Sequence, residues 1–166
     1  FTDPPFGLPK AFDDPRRELT YAGVYVLING SLRLAAADLK APNGLAFSPD
    51  EKYLYVDNWE ESRKVVLRYD VAADGSLTNP TTFFDMTSTG GEIALDGLKV
   101  DAKGNVLVSG PGGVWVIGPS GQHLGTFSPP ELPANFAFGD DDGRTLYMTA
   151  RTGLYRVRLM NPGAAV

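Results

Sequence analysis

Three segments of the chain repeat one pattern, and this repeat limits the possible folds more than any other feature. The segments are NGLAFSPD from Asn43, DGLKVD from Asp96 and NFAFGD from Asn135. Each has a short apolar run and an acidic turn, and leads to a second apolar run that ends in small polar residues. The three first residues are 53 and then 39 positions apart. Because four antiparallel strands in about 40 to 50 residues are typical of a β-propeller blade, the repeat predicts an all-β propeller.

Short alternating runs of apolar residues fill the rest of the chain, and no convincing amphipathic helix interrupts them. The runs end at Pro, Gly, Asn or Asp, which is the pattern of strands joined by tight turns. Gly and Pro, with 19 and 13 residues, are spread along the whole length. The predicted strands are 23–28, 32–38, 44–47, 53–57, 65–69, 81–85, 97–100, 106–109, 114–117, 122–127, 136–138, 145–149 and 154–158.

The repeat divides the chain into the end of one blade and three further blades. We expect residues 1–39 to complete the first blade, and residues 40–86, 87–128 and 129–160 to form the others. Loops at 59–64 and 87–94 account for the longer first spacing. The result is about three and a half blades of four-stranded antiparallel sheet in one domain of 166 residues. A closed propeller needs at least four blades, and an open stack leaves unpaired edges that need cover.

Composition excludes several classes of function. The absence of Cys excludes disulfides and thiolate chemistry, and it fits both the periplasm and the cytosol. His123, the only His, lies in a predicted outer strand, where a surface role is more typical than a catalytic one. The net charge of −5 repels nucleic acid and anionic lipid. No apolar run approaches the roughly 20 residues that span a bilayer, so neither nucleic acid nor a membrane is an expected partner.

The first residue of each repeat is a candidate ligand for a cation. In a propeller, the start of the innermost strand of each blade faces the mouth of the central channel, so Asn43, Asp96 and Asn135 would converge there. Ca²⁺ and Mg²⁺ prefer carboxylate and amide oxygens. The alternative is structural, because Asn and Asp before Gly are common turn residues and a turn would recur with the repeat as well. The residues alone leave both interpretations open.

Four stretches of the chain resemble a known family. They are APNGLAFSPDEKYLYV, LDGLKVDAKGNVLVSGPGGVWVIGPSG, ELPANFAFGDDDGRTLYMTARTGLYRV and, at the start, FTDPPFGLPKAFDDPRREL. Together they resemble the gluconolactonase/SMP-30 (regucalcin-like) family, and the last is similar to its bacterial gluconolactonase branch. The resemblance implies a six-bladed propeller that hydrolyses sugar lactones and related esters with a divalent metal in its channel.

The resemblance also implies roles for particular residues. The family holds its metal through a Glu near the N-terminus, the Asn of a PNGL motif and the Asp of a DGL motif, and the last two correspond to Asn43 and Asp96. Asp96 would also help to activate the attacking water, while Asn135 would contact the substrate. Ca²⁺ is the metal we expect, with Zn²⁺, Mn²⁺ and Mg²⁺ as alternatives.

The match covers only the C-terminal half of a family member. The family's Glu ligand and an upstream Asn would precede Phe1, so we expect the metal site to be incomplete in one copy. The chain would then be a fragment, pair with a complementary N-terminal piece, or associate with a second copy that completes the ring. The alternative function is non-catalytic: a propeller-type module that binds a carbohydrate or a protein partner at its channel mouth.

Overall fold

The computed structural model describes residues 1–91 and 95–164, and its regular structure is almost entirely β-strand. Short 3₁₀ helices at Pro5–Gly7, Ala11–Asp13 and Glu61–Arg63 complete it. None of these helices in the described residues has the length and apolarity needed to cross a membrane. The strands are β1 (Thr2–Asp3), β2 (Gly23–Ile28), β3 (Ser31–Ala36), β4 (Pro42–Phe47), β5 (Tyr53–Asn58), β6 (Val65–Val71), β7 (Leu77–Asp85), β8 (Leu98–Val100), β9 (Val106–Gly110), β10 (Gly113–Ile117), β11 (His123–Phe127), β12 (Pro133–Gly139), β13 (Thr145–Ala150) and β14 (Leu154–Arg158).

The strands form four antiparallel sheets, each made of consecutive strands. The first sheet has the order β1-β2-β3 and the second β4-β5-β6-β7. The third has the order β8-β9-β10-β11 and the fourth β12-β13-β14. Sheets of consecutive antiparallel strands that repeat along the chain are the blades of a propeller, so the prediction of an all-β, partial propeller is confirmed.

Three apolar clusters lie between neighbouring sheets and hold the blades together. One contains Val24 and Val56, from the first and second sheets. The next joins Val66 to Val108, from the second and third sheets, and the last joins Val114 to Leu146, from the third and fourth. Each middle sheet therefore buries both faces. This explains why a strand such as β9 is buried at every position, whereas β14 alternates.

The first strands of the second, third and fourth sheets pack side by side. β8 lies between β4 and β12, and β1 packs against the other side of β4. The starts of β4, β8 and β12 therefore lie at the same end of the blade stack. This end carries the first residue of each repeat.

Local differences from the sequence prediction have physical reasons. β7 begins at Leu77 rather than at residue 81, because Pro80 and the left-handed Asn79 conceal a strand that runs along an edge, where Pro is tolerated. The predicted loop at 59–64 contains the helix Glu61–Arg63. Of the predicted loop at 87–94, residues 92–94 lie outside the described residues.

Candidate functional site

Two of the candidate ligands meet at the ends of neighbouring blades. Asn43 lies in β4, and Asp96 lies two residues before β8. The side-chain amide Nδ2 of Asn43 donates a hydrogen bond of 3.0 Å to Oδ1 of Asp96, although the two residues are 53 positions apart in the chain. Both side chains are half-buried. The structure thus brings an amide and a carboxylate from different sheets together.

A β-bulge in β4 gives Asn43 its position. Pro42 pairs with Asn58 and Leu45 with Val56, so Asn43 and Gly44 together stand opposite the single residue Asp57. Bulges change the direction of a side chain and are frequent beside active sites. Neither residue of the bulge has a φ in the left-handed region. The alternative in which Asn43-Gly44 forms a turn is therefore wrong, because the pair belongs to a strand.

Gly44 and Gly97 let the neighbouring sheets approach closely. A methyl group on Gly44 would clash with the carbonyl oxygen of Asp96 and would lie 2.5 Å from Oδ2 of Asp57. A methyl group on Gly97 would lie 2.7 Å from Oδ1 of Asn135 and 2.8 Å from its Cα. A Gly is needed after Asn43 and after Asp96 because the backbone of the next blade occupies the space of a side chain.

The penultimate residue of the second strand in each repeat binds the backbone near the start of the first strand. In the second sheet, Oδ1 of Asp57 accepts a 3.1 Å hydrogen bond from the Gly44 N–H. In the third sheet, Oγ of Ser109 accepts 3.0 Å bonds from the N–H groups of Asp96 and Gly97. In the fourth sheet, the Thr149 hydroxyl donates to the carbonyl oxygen of Asn135 at 3.1 Å. One position of the repeat therefore supports all three candidate residues.

Asp57 differs from its two equivalents because it is a carboxyl group that is completely buried. Its Oδ2 is buried and has no hydrogen-bond partner among the described residues. Burial raises the pKa of Asp57 well above its usual value, and the nearby Asp96 charge raises it further. The Gly44 N–H and the ammonium group of Lys99 act in the opposite direction. Sequence reasoning missed Asp57, although the polar end of each second strand was the signal.

Asp96 has one carboxylate oxygen that is free for other partners. Oδ1 accepts from Asn43, and no described residue donates to Oδ2. Burial raises the pKa of Asp96, while the hydrogen bond from Asn43 opposes that rise. The backbone N–H of Asp96 is fixed by Ser109, so the direction of the side chain is set from two neighbouring sheets.

Asn135 lies beside this pair but does not bind to it through a hydrogen bond. Its Oδ1 accepts from the N–H of Phe136 at 2.8 Å, and the residue is exposed. The contact with Gly97 places it next to the backbone of the Asp96 segment. The structure therefore places Asn135 at the rim of the site.

An apolar groove runs along the same three strands, beyond the site. It has a volume of about 390 Å³, and Leu45, Lys99 and Ala137 are among its lining residues. Nζ of Lys99 donates to the carbonyl oxygen of Leu98 at 2.9 Å, and burial lowers the pKa of its ammonium group. The groove is mainly apolar, and none of Asn43, Asp96 and Asn135 is among its lining residues.

The donors at the site fit part of a hard-cation site. One carboxylate oxygen of Asp96 and the amide oxygen of Asn43 are of the type that Ca²⁺ prefers, but Ca²⁺ takes about six to eight oxygens. The described residues contain no group of three or more His, Cys, Asp or Glu side chains arranged to hold a metal. The pair would therefore supply only part of the ligand set of such a cation.

Comparison with known proteins identifies a matching family and a relative of similar sequence. Residues 6–152 match the family model described as SMP-30/Gluconolactonase/LRE-like region. A gluconolactonase of Zymomonas mobilis is 37% identical in an alignment of 168 positions that covers 95% of this chain and 46% of the relative. The chain thus spans less than half the length of that curated relative.

Solved structures have the same fold. A gluconolactonase from Xanthomonas campestris superimposes with a TM-score of 0.79 at 34% identity, over 98% of this chain and 52% of that one. Regucalcin from Agrobacterium tumefaciens, a calcium-binding protein, superimposes with a TM-score of 0.73 at 23% identity, over 88% of this chain and 54% of that one. At that level of identity, the second comparison supports the fold alone.

Proposed function

This chain belongs to the SMP-30/gluconolactonase/LRE-like family, and on that basis we propose that it supplies part of the active site of a metal-dependent sugar lactonase. The observation that carries the proposal is the hydrogen bond between Asn43 and Asp96, which brings oxygen donors of two blades to one point. The gluconolactonase relatives support a sugar lactone as the substrate class.

Asp96 is the residue to which we assign two tasks. Its free Oδ2 is available to a cation or to the proton of an attacking water, while Oδ1 is held by Asn43. A general base works best when its pKa lies near the working pH, and burial moves the pKa of Asp96 in that direction. Burial therefore suits Asp96 to take a proton from water.

Asn43 is a neutral ligand and an orienting residue in this proposal. The Nδ2 of Asn43 fixes the Asp96 carboxylate, and the side-chain oxygen of Asn43 is then available for a cation. A divalent metal bound here, with Ca²⁺ as our first choice, supplies Lewis-acid polarisation of the lactone carbonyl. Asn135, at the rim, is placed to hydrogen-bond the hydroxyl groups of the substrate.

A segment exchange tests the proposal. In this test, the chain replaces the matching segment of the Zymomonas mobilis gluconolactonase, which is 46% of that protein. Hydrolysis of glucono-δ-lactone is measured by the acid that it releases. We expect turnover that EDTA removes and a divalent metal restores. Asp96→Ala should lower the rate at least about a hundredfold, because it removes both a ligand and the base.

Asp141→Asn is the matched control, since Asp141 is an exposed carboxylate in a turn of the fourth sheet. It should leave the rate unchanged. The proposal is wrong if the hybrid protein has the circular dichroism and thermal unfolding of a folded propeller but hydrolyses no lactone with Ca²⁺, Zn²⁺, Mn²⁺ or Mg²⁺. Metal binding without hydrolysis would instead favour the binding-module alternative.

A further inference from the structure

We propose that Asp57 is the positioning residue that holds Asn43 against Asp96. The inference rests on the proposed function, because it assigns Asp57 to the same candidate site, but it concerns a residue that touches neither substrate nor metal. It starts from the bulge in β4, in which Asn43 and Gly44 stand opposite Asp57.

The hydrogen bond from the Gly44 N–H to Oδ1 of Asp57 is the contact that closes this bulge. Without it, Gly44 would leave an unpaired N–H group in a part-buried position. Since a bulge leaves ladder groups unpaired, a side-chain acceptor opposite it fixes its geometry. The direction of the Asn43 side chain depends on this acceptor, because Asn43 is the other residue of the bulge.

The same carboxyl group also reaches the neighbouring blade. Its Oδ2 points into the space that Gly44 leaves open, and the Asp96 carbonyl oxygen and Leu98 backbone N–H face that space. Asp57 therefore lies between the two segments that carry Asn43 and Asp96. The equivalent residues Ser109 and Thr149 have a single oxygen and cannot reach both sides.

A third contact holds the backbone of Asn43. The Thr2 hydroxyl, from β1, donates a 2.8 Å hydrogen bond to the Asn43 carbonyl oxygen. The backbone of Asn43 is thus held by the first sheet, its bulge by Asp57 and its side chain by Asp96. Of these contacts, only the one from Asp57 joins the bulge to the strand opposite it, β5.

The test uses ¹⁵N-labelled chain and Mn²⁺, which broadens amide signals near its binding site even when binding is weak. In the wild type, we expect Mn²⁺ to broaden the amides of Asn43, Gly44, Asp96 and Gly97 first. Asp57→Ala and Asp57→Val remove the acceptor, and each should raise the Mn²⁺ concentration needed for this broadening at least tenfold. The Ala and Val side chains differ in volume, and Val suits a buried strand position. If one of the two variants fails to fold, the other still tests the proposal.

Asp57→Asn keeps an acceptor for the Gly44 N–H and should bind Mn²⁺ within twofold of the wild type. Thr82→Ala is the control, since Thr82 is an exposed residue of the outermost strand of the second sheet, and it should leave the broadening unchanged. Hydrogen exchange of the Gly44 amide gives a readout without metal. It should accelerate at least tenfold in the Ala and Val variants and not in the Asn variant.

The outcomes separate this inference from the proposed function. If Mn²⁺ broadens the four amides equally in the wild type and in the Ala and Val variants, Asp57 does not position the pair, and the proposed function is unaffected. Unchanged Gly44 exchange in those variants would also overturn the inference. If Mn²⁺ does not broaden these amides in the wild type, the proposed metal site itself is wrong, and this inference fails with it.

Discussion

Gly44 and Gly97 occupy the same place in two successive repeats, and each faces the backbone of the next sheet. Neither needs a left-handed backbone, so their role is to leave space. In the third repeat the corresponding residue is Phe136, which is buried. At the scale of single residues, the distance between blades at the site is therefore set by two missing side chains.

Gly44→Ala should destabilise the protein by about 1–3 kcal/mol or more, because the new methyl group meets backbone atoms that cannot move independently. Urea unfolding followed by circular dichroism measures the change. Gly7→Ala is the control, since nothing lies within 4 Å of a methyl group there, and it should change stability by less than about 0.5 kcal/mol. Equal stability of the two variants would contradict the close approach.

Asp57→Asn should change stability in a pH-dependent way. The pKa of Asp57 is raised in the folded state, so its protonated carboxyl group contributes to the stability of the fold. This contribution is fully present below the unfolded pKa of about 3.9 and is lost as pH rises through the folded pKa. Asn does not ionise, so the variant should gain thermal stability relative to the wild type at pH 7–8 and show no gain near pH 4. Thermal unfolding at several pH values checks this. A difference in Tm that is the same at every pH would show that the carboxyl group is not protonated more readily in the fold.

At the scale of elements, the second strand of each repeat supports the first. The penultimate residue of β5, β9 and β13 has a side chain that binds the backbone at or just before the start of β4, β8 and β12. The residue types differ, but the location of the contact does not. The candidate site therefore depends on paired strands and on the segment just before β8 that Ser109 holds, and side chains on strands are held more precisely than those on loops.

Ser109→Ala should destabilise the protein by about 1–3 kcal/mol, because it leaves the N–H groups of Asp96 and Gly97 without their shared acceptor. The measurement is the free energy of unfolding in urea. Ser31→Ala, at an exposed position at the start of β3, should have an effect below about 0.5 kcal/mol. A Ser109 variant as stable as the Ser31 variant would show that water replaces the hydroxyl group.

Much of this arrangement could be predicted from the sequence. Alternation and turn residues predict most strands closely, and β2 and β14 agree at both ends, because each strand buries a face and ends at a turn. The repeat also predicts that Asn43 and Asp96 lie near each other. The bulge and the role of Asp57 could not be predicted, because both depend on the register between β4 and β5, which a single sequence does not determine.

At the scale of the whole molecule, each of the apolar clusters among the described residues joins two neighbouring sheets. Stability in such a stack is approximately the sum of the sheets and of the interfaces between them. The Asn43–Asp96 contact crosses the interface between the second and third sheets. A change in the core of that interface should therefore affect stability and the site together.

Leu98→Ala should lower the free energy of unfolding by about 2–5 kcal/mol, because Leu98 is fully buried in the cluster between these two sheets. Urea unfolding measures the loss. Leu154→Ala is the control of the same chemistry, since Leu154 is 68% exposed, and it should change stability by less than about 0.5 kcal/mol. A loss below about 1 kcal/mol for Leu98→Ala would mean that the cluster contributes little to holding the sheets together.

The 53-residue separation between Asn43 and Asp96 has a consequence for the folding kinetics. Strand pairing within one sheet closes short loops and is fast, whereas contacts across a long separation form late because of the entropy of loop closure. The cation affinity that we propose for this pair should therefore appear only after the second and third sheets have docked. A stopped-flow experiment that follows cation uptake during refolding would time that docking step directly.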